Sequence, residues 1–356
     1  MKKTMKLINF LVLFAIIGGL SVYVSGCKKD EDDPEPAGNK TALNTLITEC
    51  ETLHGAAVEG TSVGFYEVGS KAVFQTAIEA AKAVANTAGV IQSVIDAAKA
   101  NLDAAKTVFE GKYIQNVSTE GLVAQWLFNG DATDFTGNGN DGTAKTGHEF
   151  WGSGVPALTT DRFGNANNAY YLDKGANIEV PYTTALNPGA LSLSWWVYME
   201  ELENNDYMIS MNRWNCYKVN LQTVNRVFFT TKVEDPDNPG TYIYNDRDND
   251  GDGLVEGQWY HLAVTFGGGH MLFYIDGDMV KDWDNVPDAG IVSLSSEPIN
   301  LTIGQDLPTD VYSTDDTSPY YVNWGGYFKG KLDDIRLYNR VLAGSEVSSI
   351  YNLEKP

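Results

Sequence analysis

Cysteine is scarce in this chain: three residues in 356, at Cys27, Cys50 and Cys216. They stand far apart in segments of different character, which argues against a disulfide framework. Histidine is almost as rare, and His54, His148, His261 and His270 are too scattered to give zinc-ligand spacing. Basic residues are outnumbered, 25 Lys and Arg against 47 Asp and Glu, for a formal charge of −22. That excludes the basic footprint needed by a nucleic-acid or anionic-membrane partner. No apolar run reaches the about 20 residues of a membrane-spanning helix. HExxH and P-loop signatures are missing too.

What is present points to β structure. Aromatic residues make up 12% of the chain, with 19 Tyr and 8 Trp, and Gly numbers 35. This composition suits short strands and many turns better than a helical enzyme. The length allows two ordinary domains.

The N-terminus reads as an address. Lys2, Lys3 and Lys6 precede the apolar run 7–20, and Ser25 and Gly26 lead to Cys27. This is the charged, apolar and small-residue order of a secretory signal, expected over 1–26. Val24-Ser25-Gly26-Cys27 resembles a bacterial lipobox, which implies that Cys27 is lipidated and holds the protein on a membrane without spanning it. Residues 27–39 are expected to be a disordered acidic tether, with Asp30, Glu31, Asp32 and Asp33 in a row. The run is similar to the export signal of Bacteroidetes surface lipoproteins. It implies an outer-membrane, cell-surface location.

Over 40–115 the period is helical. Leu43, Leu46, Cys50 and Leu53 form one stripe, and Phe74, Ile78, Ala81 and Ala85 a second, with Ser70 placed to cap its start. Ile91, Ile95, Ala98, Leu102, Ala105 and Phe109 make the third. Three such helices can bury one narrow core. The segment resembles the FIVAR-like three-helix modules of bacterial surface proteins, which implies a spacer or presentation role.

From Gly121 to Pro356 the period changes to two. Leu191, Leu193, Trp195, Val197 and Met199 share one strand face, with Ser192, Ser194, Trp196 and Tyr198 opposite. Tyr260, Leu262, Val264 and Phe266 make another such face, and Asp276-Gly277 marks a tight hairpin. Short strands without a βαβ rhythm indicate a sandwich or jelly roll.

The terminal stretch GKLDDIRLYNRVLAGSEV, beginning at Gly330, resembles the closing segment of laminin-G/pentraxin-like domains. The likeness extends through 122–143, Ala169-Tyr170-Tyr171-Leu172, Leu193-Ser194-Trp195-Trp196-Val197 and the hairpin around Asp276-Gly277. It implies a mainly β fold: a two-sheet, concanavalin A-like jelly roll behind a small N-terminal three-helix bundle. Strict alternation in the last strand places Leu332, Asp334, Arg336 and Tyr338 on one face and Asp333, Ile335 and Leu337 on the other.

The resemblance also implies a structural Ca²⁺ between the opening loop and the last strand. Asp131, Asp134, Gly137, Asn138 and Asn140 would meet Asp333 there, since Ca²⁺ takes six to eight oxygens. The other reading of these residues is turn formation. Asp246, Asp248, Asp250 and Asp252 start like an EF-hand loop, but the twelfth position is Gly257. They read either as a lone calcium loop or as a solvated acidic hairpin.

Sugar rings stack their C–H faces on flat side chains while polar neighbours take the hydroxyls. Two loop groups qualify as ligand-binding. One is Asn212, Arg213, Trp214, Asn215 and Tyr217 with Tyr242 and Tyr244; the other is Tyr312, Tyr320, Tyr321, Asn323, Trp324 and Tyr327. Burial beneath the loops is the competing reading. No strand carries the Glu-x-Asp-x-x-Glu of laminarinase-type hydrolases, and Glu200, Glu201 and Glu203 follow a strand as a turn. The expectation is a non-catalytic surface lipoprotein that captures glycan or polysaccharide. An adhesion module for neighbouring surface proteins, and a hydrolase or lyase with an unrecognised site, are the alternatives.

Overall fold

The computed structural model describes residues 36–201, 206–222 and 224–356. The signal segment, Cys27, most of the acidic tether and Glu203 lie outside the described residues. The chain divides into two compact units, one running to Thr61 and including Phe65–Tyr113, the other comprising Ser62–Gly64 and Ile114–Pro356.

The first unit is helical, with α1 (Thr41–Ala56), α2 (Ser70–Asn86) and α3 (Gln92–Glu110). Two-residue strands β1 (Glu59–Gly60) and β2 (Tyr66–Glu67) pair between α1 and α2. The expected stripes form its core: Leu43, Leu46, Cys50, Phe74, Ile78, Ala81, Ile95, Leu102 and Phe109 are buried together. Phe109 stacks between Phe74 and Tyr66, both at 4.4 Å. Ser70 does not cap α2, because the helix begins at that residue. The Glu59 carboxylate instead accepts from the Lys71 backbone N–H at 2.7 Å, satisfying one of the orphan donors of the first turn.

The second unit is a mainly β sandwich of two antiparallel sheets, jelly-roll-like. In chain order the strands are β3 (Leu122–Trp126), β4 (Thr143–Lys145), β5 (Ala157–Thr159), β6 (Ala169–Leu172), β7 (Asn177–Val180), β8 (Leu191–Met199), β9 (Asp206–Met211), β10 (Tyr217–Gln222), β11 (Arg226–Glu234), β12 (Tyr242–Asp248), β13 (Trp259–Gly267), β14 (His270–Ile275), β15 (Asp278–Trp283), β16 (Leu301–Ile303) and β17 (Gly330–Tyr338). One sheet runs β12-β11-β10-β9-β16-β7-β4. The other runs β15-β14-β13-β8-β17-β6-β5, with β3 also on β17. The inward faces are those the alternation marked, including Leu193, Trp195 and Val197 of β8 and Leu262, Val264 and Phe266 of β13. Asp276 and Gly277 both have positive φ, 51° and 79°, as a two-residue hairpin with primed turn geometry requires.

Helix α4 (Gly344–Glu354) lies over the outer face of the second sheet. Val347 and Ile350 pack with Ala263, Tyr274, Tyr338 and Leu342, and Tyr351 stacks near Trp196 at 5.9 Å. The central strands β8, β13 and β17 are therefore buried on both faces, and all of β17 except half-buried Lys331 is buried.

Strand β17 departs from strict alternation. Its register with β8 shifts between Asp333 and Arg336, and Asp334 has φ 44°, so Asp333 and Asp334 form a bulge. The extra residue brings Leu332 into the core alongside Ile335 and Leu337. Asp333, expected on the core face, instead joins Asp334 and Arg336 beneath α4. There Arg162 binds Asp333 and reaches Asp334 at 3.5 Å, while Arg336 binds Asp334 at 3.2 Å and Glu354 at 2.6 Å.

Candidate functional site: an aromatic end of the seven-stranded sheet

Between β9 and β10 the backbone turns through Asn212 and Arg213, both with φ near 55°, into a short 3-10 turn at Arg213–Asn215. The Arg213 side chain is fully buried. It binds the Asp306 carboxylate through Nε, and donates to the carbonyls of Pro319 at 3.3 Å and Tyr321 at 3.0 Å. Asp306 also accepts from the Tyr312 hydroxyl and, at 3.1 Å, from the Gly326 N–H. A Cβ at Gly325 would stand 2.5 Å from an Asp306 oxygen, so only glycine fits there. One ion pair thus fixes both ends of the 306–326 loop. Arg213, expected to touch ligand, holds this loop in place instead. Tyr217, also expected to touch ligand, is fully buried and donates its hydroxyl to the Leu186 carbonyl at 2.7 Å. Tyr312 and Tyr327 pack around Trp151, with ring centroids at 6.3 and 5.6 Å.

The anchored loop presents Trp324, 47% exposed, edge-on to Tyr321 at 5.6 Å, with Asn323 exposed beside it. Tyr320, Tyr321 and Trp214 are half-buried, and the Trp214 ring stands 5.4 Å from the Arg213 guanidinium. On β11 and β12 Lys232 pairs in register with Tyr244. Its ammonium lies 4.2 Å from the Tyr242 ring and 5.3 Å from that of Tyr244. Both tyrosines are exposed, at 52% and 43%. The Lys232 N–H donates to the Cys216 carbonyl at 2.8 Å, directly after the Arg213–Asn215 turn. Two aromatic groups that sequence kept separate therefore share one end of the sheet.

Most of the residues expected to bind calcium have hydrogen-bond or ion-pair partners within the protein. Both Asp134 oxygens accept from protein donors: the N–H groups of Gln125 and Thr136 at 3.0 Å, that of Asn140 at 3.2 Å, and the Thr136 hydroxyl. Asp131 accepts from the Thr133 N–H at 2.9 Å, an Asx turn that lowers its pKa. Asn138 and Asn140 both donate to the Val123 carbonyl, and Gly137 before them turns the chain at φ 77°. Asp333 pairs with Arg162. In the acidic run, Asp246 and Asp248 belong to β12. Asp246 accepts from Thr230, Asp248 meets Arg226, and Asp250 meets Lys281, while Asp252 offers its backbone carbonyl to Asn249. Among the described residues no set of three or more His, Cys, Asp or Glu side chains is placed to hold a metal.

The carboxylates considered for catalysis are likewise separate: Glu200 accepts from Tyr171 at 3.1 Å and Glu201 pairs with Lys329 at 2.6 Å. Ser194 and His261 are hydrogen-bonded at 2.9 Å, yet both are fully buried, and burial pushes the His261 pKa down to about 3. No substrate reaches them. Gly60-Thr61-Ser62-Val63-Gly64 has the letters of a nucleophile elbow. It lies on an exposed turn between two-residue strands, without the strand-to-helix turn the elbow needs.

Residues 172–348 match the Laminin_G_3 family, described as the concanavalin A-like lectin/glucanases superfamily. This stretch is a domain of that superfamily. Among solved structures, domain 4 of AbnA, an extracellular GH43 arabinanase from Geobacillus stearothermophilus in complex with arabinotriose, is 21% identical over 65% of this chain and 98% of that one, with a TM-score of 0.47. The binding domain of Paraclostridial Mosquitocidal Protein 1 is 18% identical over 65% of this chain, with a TM-score of 0.44, and the match spans 52% of that chain. The receptor-binding domain of a botulinum neurotoxin C/D mosaic serotype is 12% identical over 66% and 51%, with a TM-score of 0.43. No curated protein matches this chain.

Proposed function

We propose that the β unit binds glycan without cleaving it, on the aromatic end of the seven-stranded sheet. The observation that carries this reading is Trp324, half-exposed on a loop that a fully buried ion pair holds fixed. A rigid, exposed indole with Asn323 beside it suits a sugar ring, offering a flat stacking face and an amide for hydroxyls. Pre-ordering the loop removes part of the entropy cost of binding. The superfamily, which spans lectins and glucanases, supports the carbohydrate class.

The test is retention of the soluble chain, from Lys28 on, by a panel of polysaccharides with calcium or with EDTA. Retention by one polysaccharide class is expected, equal in both buffers because the Asp131, Asp134, Asp333, Asp246, Asp248 and Asp250 carboxylates already have protein partners. Trp324→Ala should weaken it about tenfold or more, as truncation of a central aromatic does, while leaving the melting temperature unchanged. Binding to a protein partner with no polysaccharide retained would replace this reading with adhesion. Sugar release during incubation would replace it with catalysis.

We further infer that Cys27 carries lipid and places the domain at the outer-membrane surface, on the strength of the Val24-Ser25-Gly26-Cys27 motif. Cys27→Ser should move the protein from the membrane to the soluble fraction. An unchanged membrane fraction would overturn the anchor.

A further inference from the structure

The outer face of the seven-stranded sheet carries a charge that the function above does not use. In β10, Tyr217, Val219 and Leu221 fill the core, so Lys218 and Asn220 point outward. Lys218 stands in register with Ser210 on one side and Thr230 on the other. It is 4% exposed. Its ammonium donates to the Asn220 amide oxygen at 2.7 Å and lies 5.1 and 4.8 Å from the ring centroids of Tyr207 and Phe228.

That leaves three N–H donors with one acceptor. Two carboxylates influence the ammonium, Asp246 from β12 and Asp306 from the long loop, and both are engaged elsewhere. Asp246 takes the Thr230 hydroxyl at 2.6 Å, and Asp306 takes Arg213, Tyr312 and Gly326. Buried charges are normally paired in contact, because a lone ion taken out of water loses its hydration without compensation. The cost shows here as an ammonium pKa pushed down to about 8 by burial. Among the described residues none is a contact counter-ion.

We propose that this place is a subsite for one anionic substituent of a glycan, a carboxylate or a sulfate ester, with Lys218 as its counter-ion. Asn220 and Thr230 border the ammonium, and Phe228, only half-buried, flanks it on the side of the exposed β12 residues. Lys232 and Tyr244 stand one outward position further along the strands, about 7 Å away. Neighbouring residues of one sugar chain can therefore occupy both places. The net charge of −22 opposes an anion at long range, but that repulsion is screened beyond about 8 Å at physiological ionic strength.

The inference rests on the glycan reading, and its test separates the two. Affinity is measured for polygalacturonate, its carboxyl-reduced neutral form, and dextran sulfate. The intact protein should bind polygalacturonate or dextran sulfate at least tenfold tighter than the neutral polymer, and the polymer preferred names the substituent. Lys218→Met should abolish that preference while leaving the melting temperature unchanged or higher, since an unpaired buried ammonium is removed. Should the variant fold poorly, competition against the intact protein serves: the matching free acid, glucuronate or glucose 6-sulfate, should displace the bound polymer and glucose should not. Equal binding of charged and neutral polymers, or an unchanged preference in the variant, overturns the subsite and leaves the glycan reading intact. No retention of these or of any polysaccharide in the panel overturns both.

Discussion

Asp306→Ala is expected to destabilise the β unit by about 3–5 kcal/mol, the usual consequence of leaving one partner of a buried pair uncompensated. Arg213 would keep only the carbonyls of Pro319 and Tyr321 for its fully buried charge, and the Tyr312 hydroxyl and Gly326 N–H would lose their acceptor. Denaturant unfolding followed by tryptophan fluorescence measures the loss. The double variant Arg213→Met/Asp306→Leu is the control, because apolar side chains of similar volume often replace a buried pair at little cost. It should recover most of the lost stability. It should also lose glycan binding, since nothing would then pin the loop that presents Trp324. A single variant within about 1 kcal/mol of the intact protein, or a double variant no better than the single, would remove the ion pair as the loop's anchor.

Much of the architecture was legible because local pattern and global packing agree. The alternating runs of β8 and β13, the Asp276-Gly277 turn and the three helical stripes lie where their periods put them. The site was legible only in part. Trp324, Tyr242 and Tyr244 are exposed as loop and edge-strand aromatics suggest, but Arg213 and Tyr217 are buried. Nothing local distinguishes those cases, because the partner that buries Arg213 is Asp306, 93 residues further on. The calcium expectation put Asp333 on the wrong face for a similar reason. Period-two counting has no sign for a bulge at two adjacent aspartates, and the guanidinium that receives Asp333 lies 171 residues earlier. Lys218 was not singled out, although a lysine alternating with Tyr217, Val219 and Leu221 marks an outward position. Its burial comes from Tyr207 and Phe228 on the adjacent strands, which pairing alone reveals.

Raising the pH from about 4 to about 7 should weaken the β unit, and the cause lies beneath α4. Two guanidinium groups, Arg162 and Arg336, meet three carboxylates there, Asp333, Asp334 and Glu354. One negative charge is therefore in excess in a buried space. Burial pushes the Asp333 pKa up to about 7, with Asp334 and Asp161 pushing the same way and Arg162 opposing. The folded protein then holds a proton that the unfolded chain releases near 3.8, so this stabilising contribution is whole below that value and is gone above about 7. At 1.36 kcal/mol per unit the effect is of the order of a few kcal/mol. Self-repulsion from the net charge of −22 acts in the same direction, so the slope by itself decides nothing. Asp333→Asn separates the two. The amide keeps an oxygen for Arg162 but has no proton to lose, and its urea midpoint should vary less between pH 5 and pH 8 than that of the intact chain. Glu201→Gln, at an exposed pair with Lys329, should leave the slope unchanged. An equal slope in Asp333→Asn would take the effect away from Asp333 and leave it to Glu354, which burial also pushes up to about 7, or to surface charge. An intact protein more stable at pH 8 than at pH 5 would mean that folding takes up no proton here: Arg162 and Arg336 would outweigh desolvation and keep the carboxylates of the cluster ionised.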